Sequence, residues 1–170
     1  MTQVDNSILL RIKAIAFDID GVMTDGGILA MPDGDLLRVF DAKDSFGVRM
    51  AKMNGLQTGI ITGGSSGSIV RRFSVCGVDQ DDIYLHSRIK LDDFNAFCQK
   101  HSLLPEEVMF FGDDLPDIPV IEACGLGVAP ADAVEEVKQA ADFVSPCRGA
   151  NILYMDFLLF LLPDLNFLFL

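Results

Sequence analysis

At 170 residues the chain has the length of one domain, and with 50% apolar and 22% charged residues its composition is globular rather than disordered or fibrous. A net charge of −12 argues against nucleic acid or an anionic membrane surface as partner, but not against a phosphorylated small molecule met through a metal. The four cysteines form no CxxC pair, which speaks against a zinc ribbon or a secreted disulfide scaffold and for reduced thiols in a cytoplasm.

Residues 1–17 lack the charged start, apolar stretch and cleavage site of a signal peptide, so export is not expected. The first strand is expected over 13–17, and it runs into Asp18, Asp20 and Gly21. Residues 26–41 hold two short strand-like runs around Pro32, Asp33 and Gly34, the chemistry of a turn, and predict a β-hairpin flap. A helix follows over 46–54, then a strand over 57–61 that delivers Thr62, Gly63 and Gly64, then a helix over 66–76. After a strand at 83–85, Lys90 stands ahead of a helix at 91–101, where Leu91, Phe94, Phe97 and Cys98 keep the spacing of one helix face. A strand at 108–111 delivers Gly112, Asp113, Asp114 and, four positions after Asp113, Asp117. Helices at 117–124 and 133–140 alternate with strands at 126–128 and 143–144. The apolar run 154–170 is broken by Asp156, Pro163 and Asp164 short of the ~20 residues of a membrane span, and reads as a core-covering or subunit-contact segment.

Strict alternation of strand and helix implies an α/β fold, a Rossmann-like parallel sheet with helices on both faces. In such a sheet ligands bind beyond the carboxyl ends of the strands, so Asp18, Asp20, Thr62, Lys90, Asp113 and Asp117 converge on one edge. Two ionised carboxylates ~4 Å apart repel by about 4 kcal/mol at an effective dielectric near 20, so such a cluster calls for a cation. Oxygen-only ligands with room for water suit Mg²⁺. Each residue alone has a plainer role: DxDG as an Asx turn, Thr62-Gly63-Gly64 as a capping loop, Lys90 as a surface lysine, the acids of "GDDLPD" as helix caps. Their common edge and their order weigh against that.

Taken in order, Asp18-x-Asp20-Gly-Val-x-Thr24, Thr62, Lys90 and Gly112-Asp113-x-x-x-Asp117 resemble the four motifs of the haloacid dehalogenase-like phosphatases over about residues 12–149. The resemblance implies Asp18 as nucleophile, Asp20 as general acid and base, Thr62 and Lys90 on the transferring phosphoryl group, and Asp18, the Asp20 carbonyl and Asp113 on Mg²⁺. Asp117 and Gly63 would support them. No cap domain fits between the motifs, which places the chain with uncapped members. The runs "DIDGVMTDGG" and "FDAKDSFGVRMAKMNGLQTGIITG" and the late "RGAN" are similar to the uncapped enzymes that act on 3-deoxy-D-manno-octulosonate 8-phosphate or 2-keto-3-deoxynonulosonate 9-phosphate. That resemblance implies a phosphorylated sugar acid as substrate, with Asp44, Ser45, Arg49, Arg72 and Arg148 as substrate-binding residues. It also implies a homotetramer in which hairpins meet and the segment around Arg148 reaches a neighbour's site. Gly64, where the octulosonate enzyme of the best-known type carries an arginine, and Pro146-Cys147 depart from the pattern. A phospho-acceptor receiver would carry its acceptor acid after a middle strand, where this chain has Thr62, and a non-catalytic sugar-binding module would not need the full catalytic set.

Overall fold

The structure, a computed structural model, describes residues 6–150, so the apolar run 154–170 lies outside the described residues. A short helix α1 (Asn6–Leu9) leads into β1 (Ala14–Phe17), whose four residues are all buried. The hairpin strands β2 (Leu29–Ala30) and β3 (Leu36–Leu37) follow. Then come α2 (Ala42–Met53), β4 (Gln57–Ile61), α3 (Gly67–Val75), β5 (Ile83–Tyr84) and α4 (Lys90–His101). The chain goes on through β6 (Val108–Phe111), α5 (Ile118–Ala123), β7 (Leu126–Ala129), α6 (Glu135–Ala140) and β8 (Phe143–Val144).

Six strands form one sheet in the order β5-β4-β1-β6-β7-β8, every neighbouring pair parallel, and β2-β3 form a separate antiparallel pair. The Rossmann-like α/β arrangement expected from the alternation is the one found. The chain moves outward from β1 to β5, then returns through α4 to β6 on the other side of β1. The strand order therefore reverses between β1 and β6, which is where such a sheet opens a crevice.

Alternation within the strands separates two cores. Ile15 and Phe17 of β1 face α2 and α3, joining Val48, Ala51, Ile69 and Phe73, while Ala14 and Ala16 face Phe94 and Phe97 of α4 and Val120 of α5. The small residues on the second face let α4 lie close: a Cβ on Gly59 of β4 would come within 2.9 Å of the Phe97 ring.

At α2 and at the helix expected over 117–124, capping explains why the start differs from the sequence reading. Helix α2 starts four residues early because the Asp41 carboxylate accepts from the N–H groups of Lys43 and Asp44 at 2.6 and 3.0 Å. The helix expected at 117–124 splits into a 3₁₀ turn (Leu115–Asp117) capped by Asp114, and α5 with Pro119 in its first turn. Between β1 and β4 lie only the hairpin and α2, and between β4 and β6 only α3, a 3₁₀ turn, β5, α4 and a second 3₁₀ turn, so there is no cap domain. Among the described residues no helix is long and apolar enough to cross a membrane.

Candidate active site

Backbone bonds carry the sheet one residue past its strands and fix what stands there. Asp18 N–H donates to Phe111 O at 3.0 Å, Thr62 N–H to Tyr84 O at 3.0 Å, and Gly112 N–H to Val128 O at 3.1 Å. Beyond Asp18 the chain folds into a tight loop in which the Ile19 carbonyl accepts from Val22, Met23 and Thr24. Thr24 is buried and its Oγ1 accepts from the Gly21 and Gly26 N–H groups at 3.3 and 3.2 Å, so its part is to hold this loop. Gly21 has φ +89°, and a Cβ there would stand 1.9 Å from Asp113 Oδ2. Only a glycine lets the loop after β1 meet the acid after β6.

Lys90, the first residue of α4, reaches into this junction with 5% of its side chain exposed. Its ammonium lies 2.9 Å from Asp18 Oδ2 and 2.6 Å from Asp117 Oδ1. The second oxygen of Asp117 accepts from the N–H groups of Asp113 and Asp114 at 3.1 and 3.2 Å. Asp117 thus positions both the lysine and the loop that carries Asp113. Asp114 does the plainer work that its sequence allows, accepting from Leu115 N–H at 2.8 Å as a cap.

One lysine does not balance three acids. Ligand oxygens of Asp18, Asp113 and Asp117 lie within 4.8 Å of one another, and Asp18 Oδ1 and Asp113 Oδ1 are buried with no hydrogen-bond partner. Burial, then the charges of Asp18 and Asp117, push the Asp113 carboxyl up to about 8. Burial also works against the charge on Lys90, yet Asp18 and Asp117 together hold its ammonium above the usual lysine range. Both oxygens of Asp117 are already engaged, so the two orphaned atoms, on Asp18 and Asp113, are the ones that fit a divalent cation. Unpartnered buried carboxylate oxygens on acids this close together are what a hard cation satisfies.

Asp18, Asp20, Thr62, Gly63, Lys90 and Asp113 border a single cleft of about 410 Å³. Thr62 Oγ1 accepts from Gly64 N–H at 3.2 Å, and Thr62 O accepts from Ser87 N–H at 2.9 Å. The five expected substrate-binding residues do not border it. Asp44 is fully buried at the start of α2, Arg49 is exposed on α2, and Arg72 Nε of α3 donates to Ser45 Oγ at 3.1 Å. Arg148 donates from Nε to Asp132 Oδ2 of its own chain at 3.0 Å, and the next two residues dock near the loop after β1, with Ala150 N–H on Val22 O at 3.0 Å. Two arginines that the sequence does not single out are at the site instead. Arg88, exposed, borders the cleft, and Arg38 of the hairpin donates from Nε and Nη2 to the two oxygens of Asp20 at 2.5 and 2.8 Å.

The sequence profile described as haloacid dehalogenase-like hydrolase matches residues 80–151, which hold Lys90, Asp113 and Asp117. The 3-deoxy-D-manno-octulosonate 8-phosphate phosphatase of Escherichia coli K12 is 35% identical over 141 residues, 83% of this chain and 74% of that enzyme. The chain belongs to the haloacid dehalogenase-like hydrolases. Its fold matches the crystal structure of the octulosonate phosphatase from Yersinia pestis with a TM-score of 0.88 at 28% identity, over 94% of this chain and 85% of that one. It matches the octulosonate phosphatase from Moraxella catarrhalis, solved in complex with a magnesium ion, a phosphate ion and a KDO molecule, with a TM-score of 0.86 at 27% identity, over 93% and 91%. Within this family the chain is an uncapped hydrolase, with only a hairpin beside its cleft.

Proposed function

We propose that the chain is a Mg²⁺-dependent phosphomonoesterase that works through an aspartyl phosphate, with 3-deoxy-D-manno-octulosonate 8-phosphate as substrate. The reading rests above all on Asp18, a buried carboxylate with one oxygen on Lys90 and the other without a hydrogen-bond partner, as is one oxygen of the neighbouring Asp113. The cation would be held by Asp18, Asp113 and the backbone carbonyl of Asp20, and when bound it supplies positive charge for the phosphoryl oxygens.

Asp18 attacks phosphorus, so its O–P bond forms as the bond to the sugar oxygen breaks. Asp20 gives its proton to the leaving alkoxide, then takes one from the water that cleaves the aspartyl phosphate. Splitting the displacement in two matters because phosphate-monoester hydrolysis is among the slowest uncatalysed reactions. Lys90 neutralises the nucleophile and the transferring group, Thr62 and Gly63 hold phosphoryl oxygens, and Asp117 keeps Lys90 and Asp113 in register.

The substrate follows from kinship with octulosonate phosphatases. The nine-carbon 2-keto-3-deoxynonulosonate 9-phosphate is the nearest competitor. The same kinship supports a cytoplasmic homotetramer built through hairpins, with Asp44, Ser45, Arg49, Arg72 and Arg148 serving the sugar acid at subunit boundaries. Exposure of Ile28, Leu29 and Val39 on the hairpin fits such a contact. Phosphate release from a panel of sugar phosphates containing both acids, with and without Mg²⁺, tests the reading. Turnover of the octulosonate ester above all others supports it, and no metal-dependent release from any member overturns it.

A further inference from the structure

The hairpin sends one side chain inward. Residues of β2 and β3 are mostly exposed, yet only 1% of the Arg38 side chain is exposed. All three guanidinium nitrogens are used: Nε and Nη2 on the two Asp20 oxygens, and Nη1 on Leu36 O at 3.1 Å. A forked guanidinium on a carboxylate fixes the plane of that carboxylate as well as its position, which a lysine does not. Each Asp20 oxygen keeps a second lone pair, and Asp20 borders the cleft.

Space for the fork is provided by a residue without a side chain. A Cβ on Gly64 would stand 3.1 Å from Arg38 Nη2 and 3.1 Å from Ile69 Cδ1, so a larger residue there would push the guanidinium away. The hairpin meets the start of α3 through Ser66 Oγ on Asp35 Oδ1 at 3.1 Å, a neutral donor on an exposed acid. Arg38 is thus a charged, buried and bidentate link between the hairpin and the residue that moves the proton.

We propose that Arg38 is a positioning residue for Asp20: it aims the acid at the leaving-group oxygen and makes seating of the hairpin a condition for proton transfer. This rests on Asp20 being the general acid of the proposed phosphatase. The ion pair favours Asp20 as a carboxylate, so Asp20 takes a proton from solvent before the P–O bond breaks. It passes that proton to the leaving-group oxygen and regains one from the water that cleaves the aspartyl phosphate, while Arg38 remains protonated throughout. A well-placed general acid is worth ~10²–10⁴ in rate, and its value depends on how much the leaving group needs a proton.

The test compares two esters in single turnovers, octulosonate 8-phosphate with an alkoxide leaving group and p-nitrophenyl phosphate with a phenolate that leaves unprotonated. In Arg38→Met, release from the sugar ester should fall about a hundredfold or more, and nitrophenolate release by far less. Arg38→Lys keeps the charge without the fork and should restore only part of the loss. Gly64→Ala should produce the same ester-selective loss, smaller in size. Equal slowing of both esters, or no slowing, would overturn the proposal. Amide exchange over residues 26–41 needs no turnover: Arg38→Met should speed it if the arginine seats the hairpin, and unchanged exchange would overturn that role. A parent protein inert toward both esters refutes the phosphatase reading, and the exchange result then still decides the role of Arg38.

Discussion

Just past the carboxyl ends of β1 and β6, Asp18 and Asp113 follow strands whose residues are all buried, and ladder bonds extend to the edge of the candidate site. The hairpin that reaches the same cleft has strands of two residues and exposes Ile28, Leu29, Leu37 and Val39. At the strand ends geometry is secured by the sheet and the strain is electrostatic, because acids are crowded before any cation is present. In the hairpin there is little electrostatic strain, and position depends on a few side-chain ties. A phosphoryl-transfer site needs both kinds of region: a rigid edge to keep charges at fixed distances, and an element that closes over what has bound.

The largest effect should come from the rigid edge. Asp18→Asn keeps the shape and removes the proposed nucleophile, so turnover should fall by on the order of 10⁴ or more with the circular dichroism spectrum unchanged. Activity near that of the parent would remove Asp18 from the chemistry.

Lys90→Met tests whether crowding at that edge is balanced by its one buried lysine. Removing a partner from a buried ion pair costs about 3–5 kcal/mol, and the loss should be read in urea unfolding at neutral pH. It should shrink in acid, where the Asp117 carboxyl, pushed up to about 6 by burial, no longer needs a counter-charge. A loss that is equally large in acid would mean that Lys90 matters through packing alone.

The metal-free protein offers a sharper measurement. Asp113 is pushed up to about 8 when folded, against the ordinary carboxylate range when unfolded. Between those values the folded state holds a proton that the unfolded state lacks, so this group's contribution to stability falls as pH rises from about 4 to about 8. Thermal melts without metal should show that decline, and Asp113→Asn should flatten it above about pH 6, below which the raised Asp117 carboxyl also contributes. Mg²⁺ added at pH 8 should raise the melting temperature of the parent more than that of the variant. A parent melt that is flat over this range would show that Asp113 is not strained.

The smallest effect on the single chain belongs to the outer face of the hairpin. Leu29→Asp and Val39→Asp change exposed side chains, so unfolding free energy should move by no more than about 0.5 kcal/mol. If hairpins join subunits, light scattering should nonetheless report a lower mass, and an unchanged mass would place the contact elsewhere.

The edge was legible in the sequence because its signals are local. Apolar runs of four or five residues ending in Gly, Asp or Thr mark strand ends, and in a parallel sheet all those ends lie on one side. The bounds of β4 and β6 could be read to the residue, and the acids and Lys90 followed from them. Helix starts were less legible, since a cap such as Asp41 acts through geometry that periodicity does not carry.

Contacts made across long stretches of chain were decided only by the tertiary structure. Arg38 and Asp20 are 18 positions apart, and nothing in the "LLRVFD" run marks its arginine as the one buried against the acid. In the same way Asp82, fully buried at the far end of the sheet, shares one oxygen between Lys100 at 2.7 Å and His101 at 2.9 Å, although in sequence it is one acid among several. Hydrophobic pattern states which face of an element is covered, and turn residues state where it stops. Which charge meets which depends on how hairpin, loops and helices pack around the sheet, and that is a property of the folded chain.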